Sequence, residues 1–299
     1  MTQKKGNTDM GKRKIGDRRD GKLLRNIDGM HFIMPLIFPN RCDNEAFISE
    51  RIDLTNINEY LAKKNADNPE YKYNLFQVIV TAVLKTVTLR PYLNRFVANG
   101  SLYQRNKISA AFTIKKIFTD ESAEALAFIY AKDDHTIEDV HNEIFRQVSH
   151  VRKSEDSKDP TSEFMDMFSR LPRFISKPAV KFCCFLERHG KIPQALIATD
   201  PYYSSVLLTN LGSIKLKSGY HHLSNWGTTS MFTIIGEKKI RPFFNEDGTF
   251  TMKDSVDLGL TVDERIADGY YFSKSVKLLK KLLENPELLE RPMGEEVEF

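Results

Sequence analysis

Apolar and polar positions change their period several times along the chain. In "EAFISERIDLT", residues 45–55, an apolar stretch turns into alternation, which predicts a strand. "NINEYLAKKNA" then sets Ile57, Tyr60 and Leu61 on one helical face, with Thr55 as its cap. "NLFQVIVTAVLKTVTL" is apolar nearly all round. That predicts a buried helix over 75–89, stopped ahead of Pro91 because a residue before proline leaves the α region. "RFVANGSLYQ" predicts a hairpin, with Asn99-Gly100 supplying the two positive φ angles of a type I′ turn. "ISAAFTIKK" and "EALAFIYAK" predict two further strands joined by a polar turn at 117–124. "HTIEDVHNEIFRQVSHVR" puts Ile137, Val140, Ile144, Val148 and Val151 at helical spacing behind a Thr136 cap, and leaves His141 and His150 to a solvated face. Beyond the polar break "SEDSKDP" come two helical pieces, 162–171 and 174–188, in which Pro178 marks an end or a kink.

The last third is strand-rich. "SSVLLTNLG", "SMFTIIGEKK" and "SVDLGLTV" predict three strands. A helix over 269–284 follows, with Val276, Leu279, Leu282 and Leu283 inward and Lys277, Lys280 and Lys281 outward. These lysines fall in its second half, where the helix dipole favours cations, and Pro286 ends it. Strands and helices do not alternate as βαβ units. The order predicts an α+β fold with helices over one face of a mostly antiparallel or mixed sheet. No Pro/Gly/Ser-rich linker divides the body. The expected organisation is a basic irregular leader (1–28), one domain (29–290) and an acidic tail (291–299).

Charge changes this picture at one end. Residues 1–26 hold nine of the chain's 44 Lys/Arg and three of its 40 Asp/Glu, so the remainder carries 35 against 37. The basic character belongs to the leader, and a nucleic-acid partner, which needs a basic face on the folded body, is not expected. Three cysteines, Cys42, Cys183 and Cys184, make no CxxC pair, so no zinc site is predicted and reduced thiols in a cytoplasmic protein are expected. No apolar run reaches membrane-spanning length and the basic start lacks the apolar core of a secretory signal, so no membrane partner is expected. Phosphate-cradling GxxxxGK[ST] and GxGxxG loops, an HExxH metal helix and a GxSxG elbow are absent from the sequence.

Three stretches carry candidate chemistry. "LTVDERIADGYY" crowds Asp263, Glu264, Arg265 and Asp268 into a strand-to-helix junction, where Asp268 can cap the helix. "LLTNLGSI" ends a strand on Thr209, Asn210 and Gly212. "YHHLSNWGTTS" gathers His221, His222, Trp226, Thr228, Thr229 and Ser230, either as a polar loop around a packed Trp or as a pocket wall with an imidazole that titrates near neutral pH.

Taken together, these stretches resemble the catalytic domain of the dihydrolipoyl acyltransferases of 2-oxo acid dehydrogenase complexes, and their relative chloramphenicol acetyltransferase. "ISERIDLTNINEYL", "LRPYLNRFVANGSLYQRNKISAAFTIKK", "LLTNLG" and "LTVDERIADGYYFSKSVKLLKKLLENPELL" match, in order, the family's early strand and helix, central hairpin, S-N-L-G strand end, and D-H-R-x-x-D-G turn with its closing helix. The match spans roughly residues 30–290. The resemblance implies a two-layer sandwich that forms a homotrimer, with the site between subunits, where a coenzyme A or dihydrolipoamide thiol meets an acyl thioester. It puts Thr209 at the oxyanion hydroxyl, with Asn210 and Gly212 beside it. Arg265 falls on the motif arginine, on the substrate side, and Asp268 on the aspartate that orients the loop. Coenzyme A or its acyl thioester is then a substrate, no metal takes part, and no lipoyl group is expected on this chain.

One position departs from the motif: Glu264 stands where the thiol-activating histidine belongs. Imidazole, at a pKa of roughly 6.5, lies about two units below a thiol at roughly 8.5, and an ordinary carboxylate lies about four units below. That difference costs about 3 kcal/mol more for full proton transfer unless burial raises the carboxylate's pKa. Three readings stay open: Glu264 as a tuned base, His222 as a relocated base, or a silent site on a trimeric binding or assembly module.

Overall fold

A computed structural model describes residues 13–115, 124–153 and 160–299. The polar turn expected at 117–124 and the polar break at 154–160 fall outside these residues, but for Glu124 and Pro160, as do residues 1–12 of the leader.

In chain order the elements are β1 (Gly21–Leu23), α1 (Gly29–Ile37), β2 (Glu45–Asp53), α2 (Thr55–Lys64), α3 (Leu75–Leu89), β3 (Arg95–Ala98), β4 (Ser101–Arg105), β5 (Ile108–Lys115) and β6 (Glu124–Ala131). Then come α4 (Ile137–Lys153), α5 (Pro160–Ser169), α6 (Arg173–Arg188), α7 (Gln194–Thr199), β7 (Val206–Asn210), β8 (Met231–Ile235), β9 (Lys239–Phe244), β10 (Phe250–Asp263) and α8 (Gly269–Glu284). A mixed seven-stranded sheet runs β2-β10-β8-β7-β5-β6, with β9 paired to the outer half of β10. The β5–β7 and β7–β8 pairs are parallel and the others antiparallel. A small antiparallel sheet, β1-β4-β3, sits apart from it. This is the two-layer α+β architecture that the order of elements predicts.

The alternation of side chains along a strand divides the large sheet into two faces. Val206 and Leu208, Met231 and Ile235, and Val256, Leu258, Leu260 and Val262 point to one face, where α2, α3, α4 and α8 cover them in the main core. The other face is turned away from the helices. There Ala111, Leu207, Phe232 and Ile234 form a smaller cluster beneath Leu223. Thr209, Thr261 and Asp263 lie on that second face by the same alternation.

Local signals decide most element ends. Asn99 and Gly100 take φ of 46° and 70°, the pair that the β3–β4 turn demands. Asn74 caps α3 in a capping box with Gln77. Thr136 accepts from Glu138 N at 3.2 Å ahead of α4, as expected. At α2 the expected cap moves two residues back: Asp53 accepts from both the backbone N (2.9 Å) and the hydroxyl (2.6 Å) of Thr55, so the carboxylate does the capping.

Two expectations change. Within the leader, β1 pairs with β4, and Arg18 is only 5% exposed. Its guanidinium donates to the Glu187 carbonyl at 2.8 Å and carboxylate at 3.1 Å, meets Asp20 at 3.0 Å, and stands over the Phe96 ring. Charge hid this anchor, because a basic run reads as solvated unless its partners are in view. His141, expected on a solvated face, is 6% exposed, stacked on Tyr73 at 3.8 Å between ring centroids, with Nδ1 3.2 Å from Gln77 Oε1. Burial lowers its pKa from the ordinary 6.5, Glu138 opposing and Lys64 adding to the shift.

The unfolded chain therefore takes up a proton near pH 6.5 that the folded chain resists, and stability present above that pH is lost as pH falls. Thermal unfolding followed from about pH 7.5 to about 5.5 is expected to show Tm falling more steeply for the wild type than for His141→Phe, which keeps the ring stack without the titration.

Candidate functional site

The strand-to-helix junction after β10 is built on Asp263. Its carboxylate is fully buried and accepts from Arg265 Nε at 2.8 Å and Nη2 at 2.6 Å, while Arg41 Nε stands 3.6 Å away. Arg265 spends its remaining nitrogen on the Phe38 carbonyl at 2.7 Å. Arg41 donates to the carbonyls of Ser224 (2.5 Å), Gly227 (3.1 Å) and Val97 (2.9 Å). Burial pushes the Arg41 guanidinium below its ordinary value, and Asp263 opposes that shift.

The sequence-predicted residues fall into place around this pairing. Glu264 is exposed and opens a short 3₁₀ turn, held there by its backbone N–H, which donates to the Asn44 carbonyl at 3.0 Å. Arg265, expected on the substrate side, is 2% exposed and fully occupied, so it braces the turn from within. Asp268 caps α8, accepting from Tyr271 N at 2.7 Å. The carboxylate that organises the turn is thus Asp263, five positions earlier, and its conspicuous signal was charge placed at the end of an apolar strand.

The histidine loop, residues 220–230, reaches the same end of the sheet. Gly236 and Gly259 let the chain cross the open face at close range: a Cβ at Gly259 would lie 1.9 Å from the Gly219 carbonyl oxygen, and one at Gly236 would lie 2.5 Å from Ser218 N. Beyond this crossing His221 stacks on Phe232 at 4.2 Å, and His222 is exposed beside it at 4.6 Å. Leu223 N donates to the Glu45 carboxylate. Because Glu45 is the register partner of Asp263, His222 is carried to the Glu264 end of β10. Trp226 follows the bland expectation: it packs with Ile192, Ile197 and Tyr203, and its Nε1 donates to Asp200 at 2.6 Å.

Thr209 lies elsewhere. It pairs in register with Ile234, which pairs with Gly259, and Glu264 is five residues farther along β10. At about 3.3 Å of rise per residue the two sites are roughly 16 Å apart along the strand alone. Asn210 closes the strand, its carbonyl accepting from Ser213 Oγ at 2.7 Å. Gly212 is there for a close approach, since a Cβ would lie 2.6 Å from the Gly236 carbonyl oxygen. Among the described residues no group of three or more His, Cys, Asp or Glu could hold a metal ion, and no helix is long and apolar enough to cross a membrane.

With this geometry in place the comparisons with known proteins become specific. Residues 195–290 match the family model of the 2-oxoacid dehydrogenases acyltransferase (catalytic domain), a segment that contains Thr209, Asn210, Gly212, His222, Glu264, Arg265 and Asp268. No curated protein matches the chain. Among solved structures, the fold is shared with a probable dihydrolipoamide acetyltransferase from Listeria monocytogenes 4b F2365, at TM-score 0.56 and 17% identity over 88% of this chain and 94% of that one. It is shared with a dihydrolipoamide acetyltransferase from Azotobacter vinelandii at TM-score 0.57 and 14% identity over 90% and 94%, and with a chloramphenicol acetyltransferase at 0.55 and 13% over 88% and 99%. The chain therefore has the chloramphenicol acetyltransferase-like fold, and the resemblance read from its motifs is borne out.

Asp263→Asn leaves two buried guanidinium groups without their carboxylate and is expected to cost about 3–5 kcal/mol in urea unfolding. Asp268→Asn keeps a good helix cap and is expected to cost well under about 1 kcal/mol in the same measurement.

Proposed function

We propose that this protein is a coenzyme A-dependent acyltransferase whose site assembles between copies of the chain, as a homotrimer. The observation that carries the reading is the separation just described: Thr209, on the open face of the sheet, and Glu264, just past the end of β10, stand roughly 16 Å apart along the strand direction. One chain cannot bring them to one reacting atom, whereas a second copy laid on that face can supply the missing partner. The match of residues 195–290 to an acyltransferase catalytic-domain model supports the same reading.

In this scheme a coenzyme A thiol or its acyl thioester enters between subunits. Glu264, or His222 beside it, takes the thiol proton. The thiolate attacks the acyl carbonyl, and Thr209 of another copy donates a hydrogen bond to the tetrahedral oxyanion, a bond that strengthens as negative charge develops. The sulfur–carbonyl bond forms, the original acyl bond breaks, and the proton returns to the leaving group. In a single chain Glu264 is exposed, so the desolvation that suits a carboxylate base has to come from the neighbouring copy.

A second reading, a catalytically silent assembly module on the same fold, is favoured by the glutamate itself, which replaces the histidine of the motif. Calorimetric titration with coenzyme A and an acyl-transfer assay separate the two. The enzyme reading expects binding, turnover, and a loss on the order of a hundredfold in kcat for Thr209→Ala. It also expects Glu264→Gln or His222→Gln to lower activity, whichever is the base. Absence of both binding and turnover in the wild type, with activity appearing in Glu264→His, establishes the silent module instead.

A further inference from the structure

Among the described residues, α6 carries a run of exposed aromatic side chains on an element that the site residues do not use. Phe174, Pro178 and Phe182 recur every fourth residue, Phe185 follows three later, and together they make one stripe along the helix. The three phenylalanines are 77%, 60% and 55% exposed. Arg173, Lys177 and Lys181 run beside them, also every fourth residue, with Arg188 seven beyond Lys181. The opposite side of the helix faces the body. Leu186 joins the cluster of Ile192, Ile197 and Tyr203, and Glu187 is buried against Arg18.

The outward surface is thus aromatic along one stripe and cationic along the next. Residues 170–191 contain six Lys/Arg and a single acid, Glu187, which is buried and paired. Arg173, Lys177 and Lys181 also line a shallow groove along the helix surface. Self-association of this face through a second copy would set basic stripes against each other with no free carboxylate to meet them. An anionic lipid surface satisfies both stripes together, since rings enter the acyl boundary while ammonium and guanidinium groups stay among the headgroup phosphates.

We propose that α6 is a membrane-docking helix that lies in the plane of an anionic phospholipid surface. A surface-lying helix needs no spanning segment, which is why the absence of an apolar run of that length pointed away from membranes. The proposal is independent of acyl transfer and of which group acts as base.

Co-sedimentation of the full chain with vesicles tests it. Binding is expected to vesicles of about three parts phosphatidylcholine to one part phosphatidylglycerol, not to phosphatidylcholine alone, and is expected to weaken as salt is raised. Each basic side chain at such a surface is worth roughly a fivefold change in partition, so Lys177→Gln with Lys181→Gln should weaken binding roughly 25-fold. Phe174→Ser with Phe182→Ser should weaken it at least as much, with circular dichroism and oligomeric state unchanged. Equal binding to neutral and anionic vesicles, no binding to either, or variants that bind like the wild type would overturn the proposal. So would a phenylalanine variant that changes the oligomeric state, because another copy would then be what covers this face.

Discussion

A single buried carboxylate, Asp263, ties together the parts of the molecule that form the candidate site. It has no exposure to water and is held between two arginines, Arg41 and Arg265. Through them it reaches the carbonyls of Phe38, Val97, Ser224 and Gly227, and so joins the α1–β2 connection, β3, the histidine loop and the end of β10. Burying three charges costs several kcal/mol of hydration for each ion, and attraction in a poorly polarisable interior offsets this only when the geometry is tight. The Arg265–Asp263 pair meets that condition with two contacts of 2.6 and 2.8 Å. The consequence is positional: the residue after Asp263 leaves the strand in a fixed direction, and Glu264 emerges at the surface on a rigid base.

The same economy shapes the open face of the sheet. Strand alternation places Thr209, Phe232, Thr261 and Asp263 on the side without helices. A loop can lie on a sheet only where side chains are missing, and Gly236 and Gly259 provide that gap. The loop laid there crosses at the row shared by Thr209, Ile234 and Gly259, and carries His221 and His222 on past Phe232. The open face thus holds the Thr209 hydroxyl and the histidine loop, with Glu264 in the turn just beyond the end of β10.

Much of this was legible in the sequence, and the exceptions have physical causes. Periodicity located α2, α3, α4 and α8, because each buries a continuous apolar stripe, and α6, whose aromatic stripe lies on its exposed side. Asn99-Gly100 declared its turn through backbone sterics alone, and Asp268 its cap. The strand β9, "KIRPFF", was missed. It carries a proline and basic residues and pairs only with β10, so its side chains follow an exposed edge rather than a core. β1 and the buried Arg18 were missed because their partners, Gln104 and Glu187, are remote in sequence. Within the candidate site, motif spacing pointed to Glu264 and Thr209, left His222 as an alternative base, and gave the structural role to Asp268. A local pattern ranks aspartates by position, whereas burial, which singles out Asp263, depends on Arg41 more than two hundred residues away.

The two surfaces singled out by charge and exposure are compatible because they lie on different parts of the chain. The site uses the open face of the sheet near β7 and β10. The aromatic stripe lies on α6, which is fixed to the body by its last turn. A single short amphipathic helix binds lipid weakly, since three rings and a few cations supply only a modest partition free energy. Copies joined in one particle share that binding, and the gain is multiplicative where their helices emerge on one side, because each further contact is intramolecular. On the proposed reading, oligomerisation at the sheet would do two things at once: complete an acyl-transfer site, and turn a marginal lipid contact into a stable one.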